Sequence, residues 1–289
     1  MIKEKREKML IEFIKFLIYS GVIVLISKYI LVTTLRKLAE TLNLKPKTVG
    51  DIAGYATSMP ELLTIGASSF SGLISASIVN VISSNVINFI QYISSIFLNK
   101  NQNILKNKAI RIDLILVSIT IIIPILLFIF DIEIKLAIVP IFIILYILFI
   151  YLNGNAHKLY LRSEDLKLES KIEEEEKWER NNKKKTMKYI LYLLGTGILL
   201  FIVGELLGNT LENLCNQFHI PQTIIGILLG FITSIPELIT FFESQKHYKK
   251  KKEDAILGVV EATNNLFTSN ILNLFAIQSI GIIIYSIFS

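Results

Sequence analysis

Residues 54–64 read GYATSMPELLT and residues 230–240 read GFITSIPELIT, with seven of eleven positions identical. A second pair follows, NVISSNVIN at 80–88 and NLFTSNILN at 265–273, sharing the pattern N-x-x-x-S-N-x-x-N. Two motifs recurring in the same order mark an internal repeat. Outward from these motifs the chain is strongly apolar, with blocks at 113–130, 132–152, 189–207 and 271–288. Runs of about 20 apolar residues match the roughly 30 Å hydrocarbon core of a bilayer. Hydrophobic residues make up 52% of the 289 positions, charged ones 19%, and the mean hydropathy is +0.57. A water-soluble domain of this size needs more polar surface, so the reading is an all-α polytopic membrane protein.

Eight spans are expected, near 11–33, 48–69, 72–98, 111–130, 134–153, 187–209, 221–243 and 255–285. They divide the chain into a first half (1–153, five helices, repeat at about 50–95), a charged linker (154–186) and a second half (187–289, three helices, repeat at about 226–280). The linker carries EEEE at 173–176 and KKK at 183–185, which reads as a solvated helical connection. Five spans precede it, so the second repeat enters the membrane in the opposite direction to the first. Inverted repeats place a substrate site at the midplane between the copies.

Basic residues set the sidedness. Arg36, Lys37, Lys45 and Lys47, then Lys100, Lys106, Lys108 and Arg111, then Lys246 and Lys249 to Lys252 all fall, with the linker, on one side of an eight-span chain. The opposite loops hold only Lys135. By the positive-inside rule the basic loops and linker are cytoplasmic and both termini external, despite the KEKREK start at 3–8. That long apolar first segment lacks a small-residue cleavage site and reads as a retained helix rather than a signal peptide. The net charge of +6 is explained by topology and does not call for nucleic acid. Cys215, the single cysteine, excludes an internal disulfide and a CxxC metal site, and His157, His219 and His247 are scattered. Neither a nucleophile–base pair nor an HExxH pattern is present, so no enzyme and no cofactor are expected.

The repeat spacing carries the chemistry. Thr57 and Glu61 are four apart and share a helix face, as do Thr233 and Glu237. Asn80, Ser84 and Asn88 form one stripe, and Asn265, Ser269 and Asn273 another. Pro60 and Pro236 lack an N–H and free backbone carbonyls just before each glutamate, while Gly54 and Gly230 allow close backbone approach. Carboxylate, hydroxyl, amide and carbonyl oxygens are what hard cations bind, six to eight for calcium. A carboxylate within a membrane is costly and marks a functional site, and no Lys or Arg lies in the repeat segments to neutralise these two.

The motifs G-x-x-T-S-x-P-E and S-N-x-x-N resemble the α-repeats of the cation/calcium exchanger superfamily, which includes sodium/calcium exchangers. The resemblance covers about 20–100 and 195–280. It implies a secondary active antiporter that exchanges calcium for sodium by alternating access, with the bilayer and those two ions as partners, in the plasma (inner) membrane. It further implies that Glu61 and Glu237 are the principal calcium ligands, with Thr57, Ser58, Thr233 and Ser234 giving hydroxyls and carbonyls. Ser84 and Ser269 would serve flanking sodium sites, Asn88 and Asn273 would face the centre, and Gly54 and Gly230 would offer backbone carbonyls.

The chain departs from the family pattern in three ways. Asn273 stands where many members carry a carboxylate, which weakens the alternative of a proton-coupled exchanger, since amides do not titrate. Val79, Ser83, Asn264 and Thr268 replace the glycines of G-N-x-x-G-S-N. Eight spans stand against the usual ten, two scaffold helices fewer, which keeps a non-transporting subunit, a second copy or partner helices among the alternatives. Lys28 and Glu205, at near-equivalent places in the first span of each half, read as a structural ion pair rather than a transport element. Asp51 and Glu261, roughly two to three turns from the central oxygens towards the cytoplasmic ends, read as helix-terminal or interfacial charges, the alternative being that either lines the inner access path.

Overall fold

The apolar blocks become long helices because a bilayer offers no partner for a free backbone N–H or C=O, and a helix satisfies them internally. A computed structural model describes residues 2–42, 44–129, 135–164, 183–250 and 254–288. In chain order the α-helices are α1 (Ile2–Ile26), α2 (Thr33–Thr41), α3 (Pro46–Thr57), α4 (Met59–Phe70), α5 (Ile74–Leu98), α6 (Lys108–Ile129), α7 (Val139–Glu164), α8 (Lys183–Glu212), α9 (Gln222–Thr233), α10 (Ile235–Lys250), α11 (Ala255–Ile271) and α12 (Gln278–Phe288). Wider π turns at Ser27–Val32, Asn213–Gln217 and Leu272–Ile277 extend or join several of them into longer rods. Most of the expected linker, 165–182, lies outside the described residues.

Among the described residues, seven helical segments are long and apolar enough to cross a membrane. The eighth expected span, 48–69, is present as the two 12-residue helices α3 and α4, broken at Ser58. Its repeat partner breaks in the same way at Ser234, between α9 and α10. In both, a proline is the second residue after the break (Pro60, Pro236), where its missing N–H falls in a first turn that has no use for one.

The distribution of polarity is inverted relative to a soluble protein. Ile147, Leu194 and Ile198 on α7 and α8 are more than 60% exposed, whereas every residue from Gly258 to Ile271 on α11 is buried, Glu261, Asn264, Asn265, Ser269 and Asn270 among them. An apolar exterior of this extent is stable only against lipid. The chain is an integral multi-pass membrane protein with a polar interior.

Two apolar clusters flank that interior. One gathers Tyr92, Phe142, Phe241, Phe267 and Phe275 from α5, α7, α10, α11 and the last π turn. The other gathers Phe16, Ile23, Leu207, Leu211 and Leu229 from α1, α8 and α9, with Cys215 buried beside them. Lys28 and Glu205 are not paired. The Lys28 ammonium stands over the Tyr29 ring, 4.6 Å from its centroid, and Glu205 is exposed on the outer face of α8.

Candidate ion site

The repeats cross over. The most extensive helix contacts are α9 on α5 and α3 on α11, so the first half of each broken helix packs on the S-N-x-x-N helix of the other repeat. Glycines make this possible. A Cβ on Gly54 would lie 2.8 Å from Thr268 Cβ and 2.9 Å from the Asn265 carbonyl oxygen. One on Gly50 would lie 2.9 Å from Asn264 Cβ. In the other repeat, a Cβ on Gly226 would lie 2.8 Å from Val79 Cβ, and one on Gly230 would overlap Ser83 Oγ. The four residues that replace glycines in α5 and α11 are thus met by four glycines on the facing helices. The volume added on one side is removed from the other.

Close approach brings the polar residues of four helices together. Glu61 and Glu237 sit in the first turns of α4 and α10, and their carboxylates are near enough to interact electrostatically. Thr57 lies beside Glu237 and Thr233 beside Glu61, so each glutamate meets the threonine of the opposite repeat. The C-terminal ends of α3 and α9, where a helix carries partial negative charge, lie at the same level.

Ser269 links the repeats. Its hydroxyl donates to Glu237 Oε1 at 3.2 Å and accepts from Asn88 Nδ2 at 3.2 Å. Asn88 also donates to Asn270 Oδ1 at 3.3 Å, and Thr57 Oγ1 donates to Asn265 Oδ1 at 3.3 Å. Ser84 turns back on its own helix, donating to the Asn80 carbonyl at 2.8 Å, and Thr233 donates to the Leu229 carbonyl at 2.9 Å. Ser234 Oγ reaches the Ser84 carbonyl only at 3.5 Å. The Gly54 and Gly230 carbonyls each accept a backbone N–H, from Ser58 at 3.2 Å and Ser234 at 3.3 Å.

Several acceptors are left over. Both oxygens of Glu61, Oε2 of Glu237, and Oδ1 of Asn80, Asn88 and Asn273 are buried with no hydrogen-bond partner among the described residues, as are Ser58 Oγ and Asn273 Nδ2. Buried polar groups are normally satisfied, and these are mostly oxygens that can only accept. A hard cation, as transported substrate, fits that donor set. Among the described residues no three His, Cys, Asp or Glu side chains cluster, so the charge available is that of two carboxylates.

Around this centre the network extends further, through Asn85 and Asn270, which the sequence reading did not single out, and through residues that it did. Asn85 and Asn270 exchange amide hydrogen bonds with each other's backbone carbonyls at 3.1 Å, joining α5 to α11. Both lie in the S-N-x-x-N motif, so the signal was present. Asn80 Nδ2 donates to Thr64 Oγ1 at 2.8 Å. Asp51 is no simple helix-end charge: it accepts from Thr268 at 3.1 Å and from Lys47 at 3.1 Å. Glu261 is buried and bridged by Arg36, 225 residues earlier, a pairing that no local pattern announces.

The chain matches the family model described as sodium/calcium exchanger protein over residues 13–154 and 188–289. No curated protein matches it significantly in sequence. It is similar in structure to the sodium-calcium exchanger NCX_Mj. Against that protein soaked with 2.5 mM Na+ and 10 mM Sr2+, the TM-score is 0.53 at 21% identity, over 96% of this chain and 83% of the other. Against the form soaked with 10 mM Na+ and zero Ca2+, the TM-score is 0.54 at 21% identity, with the same coverage. This likeness shows the fold.

Proposed function

We propose that the chain, which belongs to the sodium/calcium exchanger protein family, exchanges calcium for sodium across a cell's plasma membrane by alternating access. As a cation exchanger it needs a site that is reachable from both sides in turn, and the convergence of four helices where the repeats cross supports placing it there. The observation that carries the reading is the set of unpartnered oxygens around Glu61 and Glu237. Two carboxylates match the charge of one divalent ion, so the filled site is neutral in a medium where unbalanced charge is costly.

In this reading Glu61 and Glu237 hold calcium, helped by Thr57, Thr233, Asn88, Asn273 and the hydroxyls and carbonyls of Ser58, Ser234, Gly54 and Gly230. Ser84 and Ser269 serve sodium beside it. The halves 1–153 and 187–289 each contribute one repeat, joined by a cytoplasmic connection at 154–186, with Ser289 external. Cysteines placed singly in the linker and at the C-terminus should label from the inside and the outside of intact cells respectively.

The deciding experiment is calcium uptake into proteoliposomes driven by an outward sodium gradient. Uptake that needs sodium and varies little between about pH 6 and 8 is expected, since Asn88 and Asn273 do not titrate there. Uptake driven by a proton gradient and indifferent to sodium would replace sodium by protons. No flux of any cation would leave a membrane scaffold.

A further inference from the structure

One buried charge is not used by the central site. Glu261, near the N-terminal end of α11, is 1% exposed, and its Oε1 is bridged by Arg36 Nη2 while Oε2 has no hydrogen-bond partner among the described residues. Arg36 is 21% exposed, the accessible member of the pair. Together they line a narrow cleft with Val32, Leu35, Val49, Ala53 and Thr240. Thr240 is three residues beyond Glu237 on α10, so the cleft floor is one helical turn from a central carboxylate.

We infer that Glu261 is a second cation site, on the access path from the basic face of the protein, and that the Arg36 guanidinium is its resident counter-ion, displaced when a transported cation enters. The inference rests on the exchange reading and on that face being cytoplasmic.

Three observations carry it beyond a structural ion pair. First, Glu261 Oε2 and, three residues along α11, Asn264 Oδ1 are both buried without a hydrogen-bond partner among the described residues, with the Ser244 and Tyr248 side chains beside the carboxylate. At intervals of four along α11, Asn265 and Ser269 lead from Glu261 to the residue that bonds Glu237. Second, the repeats differ here. Four residues before Asn265 stands Glu261, but four before Asn80 stands Ala76, so the central site does not demand the charge and one face of the protein does. Third, nearby Asp51 is already held by Lys47 and Thr268, which leaves Glu261 as the carboxylate with an open oxygen. Removing one partner of a buried ion pair leaves an uncompensated charge and is strongly destabilising. A guanidinium on a flexible stem can leave as a metal cation arrives, and the charge balance holds throughout.

The test measures calcium KM separately at the two faces, using right-side-out and inside-out vesicles carrying the full chain. Arg36→Gln removes the competitor and should lower the cytoplasmic KM roughly five- to tenfold, with the external KM unmoved. Glu261→Gln should raise the cytoplasmic KM by a similar factor, and the double variant should follow Glu261→Gln. Arg36→Lys, which keeps the charge but loses the fork, should fall between parent and Arg36→Gln, and it decides the matter with Glu261→Gln if Arg36→Gln fails to fold. Variants that lower the melting temperature but leave both KM values at parental levels would make the pair structural and overturn the proposal. A second arm needs no transport: Thr240→Cys in a Cys215→Ser background, labelled from the cytoplasmic face with a membrane-impermeant thiol reagent. Arg36→Gln should speed labelling several-fold and excess calcium should slow it. Unchanged labelling would overturn the site even in a protein that proved not to carry calcium.

Discussion

In the first repeat Glu61 offers two oxygens without a partner, and Asn88 lies in the unbroken α-helix α5 with its amide bonded to Ser269 and Asn270. In the second, Glu237 has one oxygen taken by Ser269, while Asn273 sits in a π turn with both amide atoms unpartnered. The motifs are the same and the hydrogen bonding is not. Ser269 reaches Glu237 in its own repeat and Asn88 in the other, whereas the hydroxyl of its counterpart Ser84 bonds only backward along its own helix. Sequence symmetry therefore specifies which groups converge, and small differences in packing decide which of them are free to bind.

The largest effects should come from the glutamates. Glu61→Gln and Glu237→Gln each leave a divalent ion half-neutralised, a loss on the order of 3–5 kcal/mol, a hundredfold or more in affinity. Calorimetry and vesicle flux should show no calcium binding or transport for either variant, with normal insertion. If one Gln variant bound calcium like the parent, the site would belong to a single repeat and the symmetric reading would fall.

Next come the helix crossings. Gly54→Ala and Gly230→Ala each force a methyl against facing backbone, and should lower stability by about 1–3 kcal/mol in thermal unfolding. Ser83→Gly should partly rescue Gly230→Ala and leave Gly54→Ala unaffected, because Ser83 lies against Gly230 while Gly54 meets Thr268 in the other crossing. Equal rescue of both would disprove the pairwise compensation.

The two asparagines sharpen the comparison further. Asn88→Asp loses two donated hydrogen bonds and sets a carboxylate against Asn270 Oδ1, so it should cost about 1–3 kcal/mol of stability. Asn273→Asp breaks no bond and adds a third carboxylate to the centre. With calcium bound it should melt near the parent, and it should bind calcium several-fold more tightly. The reverse order would show that the π turn, not the hydrogen bonding, sets the difference.

Smallest of all should be Lys28→Ala. Its ammonium faces Tyr29 at the lipid-exposed side rather than Glu205, a contact worth about 0.5–1 kcal/mol at an exposed site. Calcium affinity should not change, and a large loss of stability would restore a partner for this lysine.

The sequence by itself determined that the chain is helical and membrane-spanning, because long apolar runs have one low-energy backbone in lipid. It also determined the repeat and the residues Thr57, Glu61, Thr233, Glu237, Ser84, Asn88, Ser269 and Asn273 as a set, since both periodicity and proline position are local properties. Three things were decided only by the tertiary structure. The break at Ser58 and Ser234 turns two continuous apolar spans into four half-helices, a choice between neighbouring turn geometries that apolar content does not record. The match of Gly50, Gly54, Gly226 and Gly230 to Asn264, Thr268, Val79 and Ser83 joins residues up to 214 positions apart. The pairing of Arg36 on α2 with Glu261 on α11, and the separation of Lys28 from Glu205, follow from where long side chains meet across helices, and no pattern within a single helix announces either.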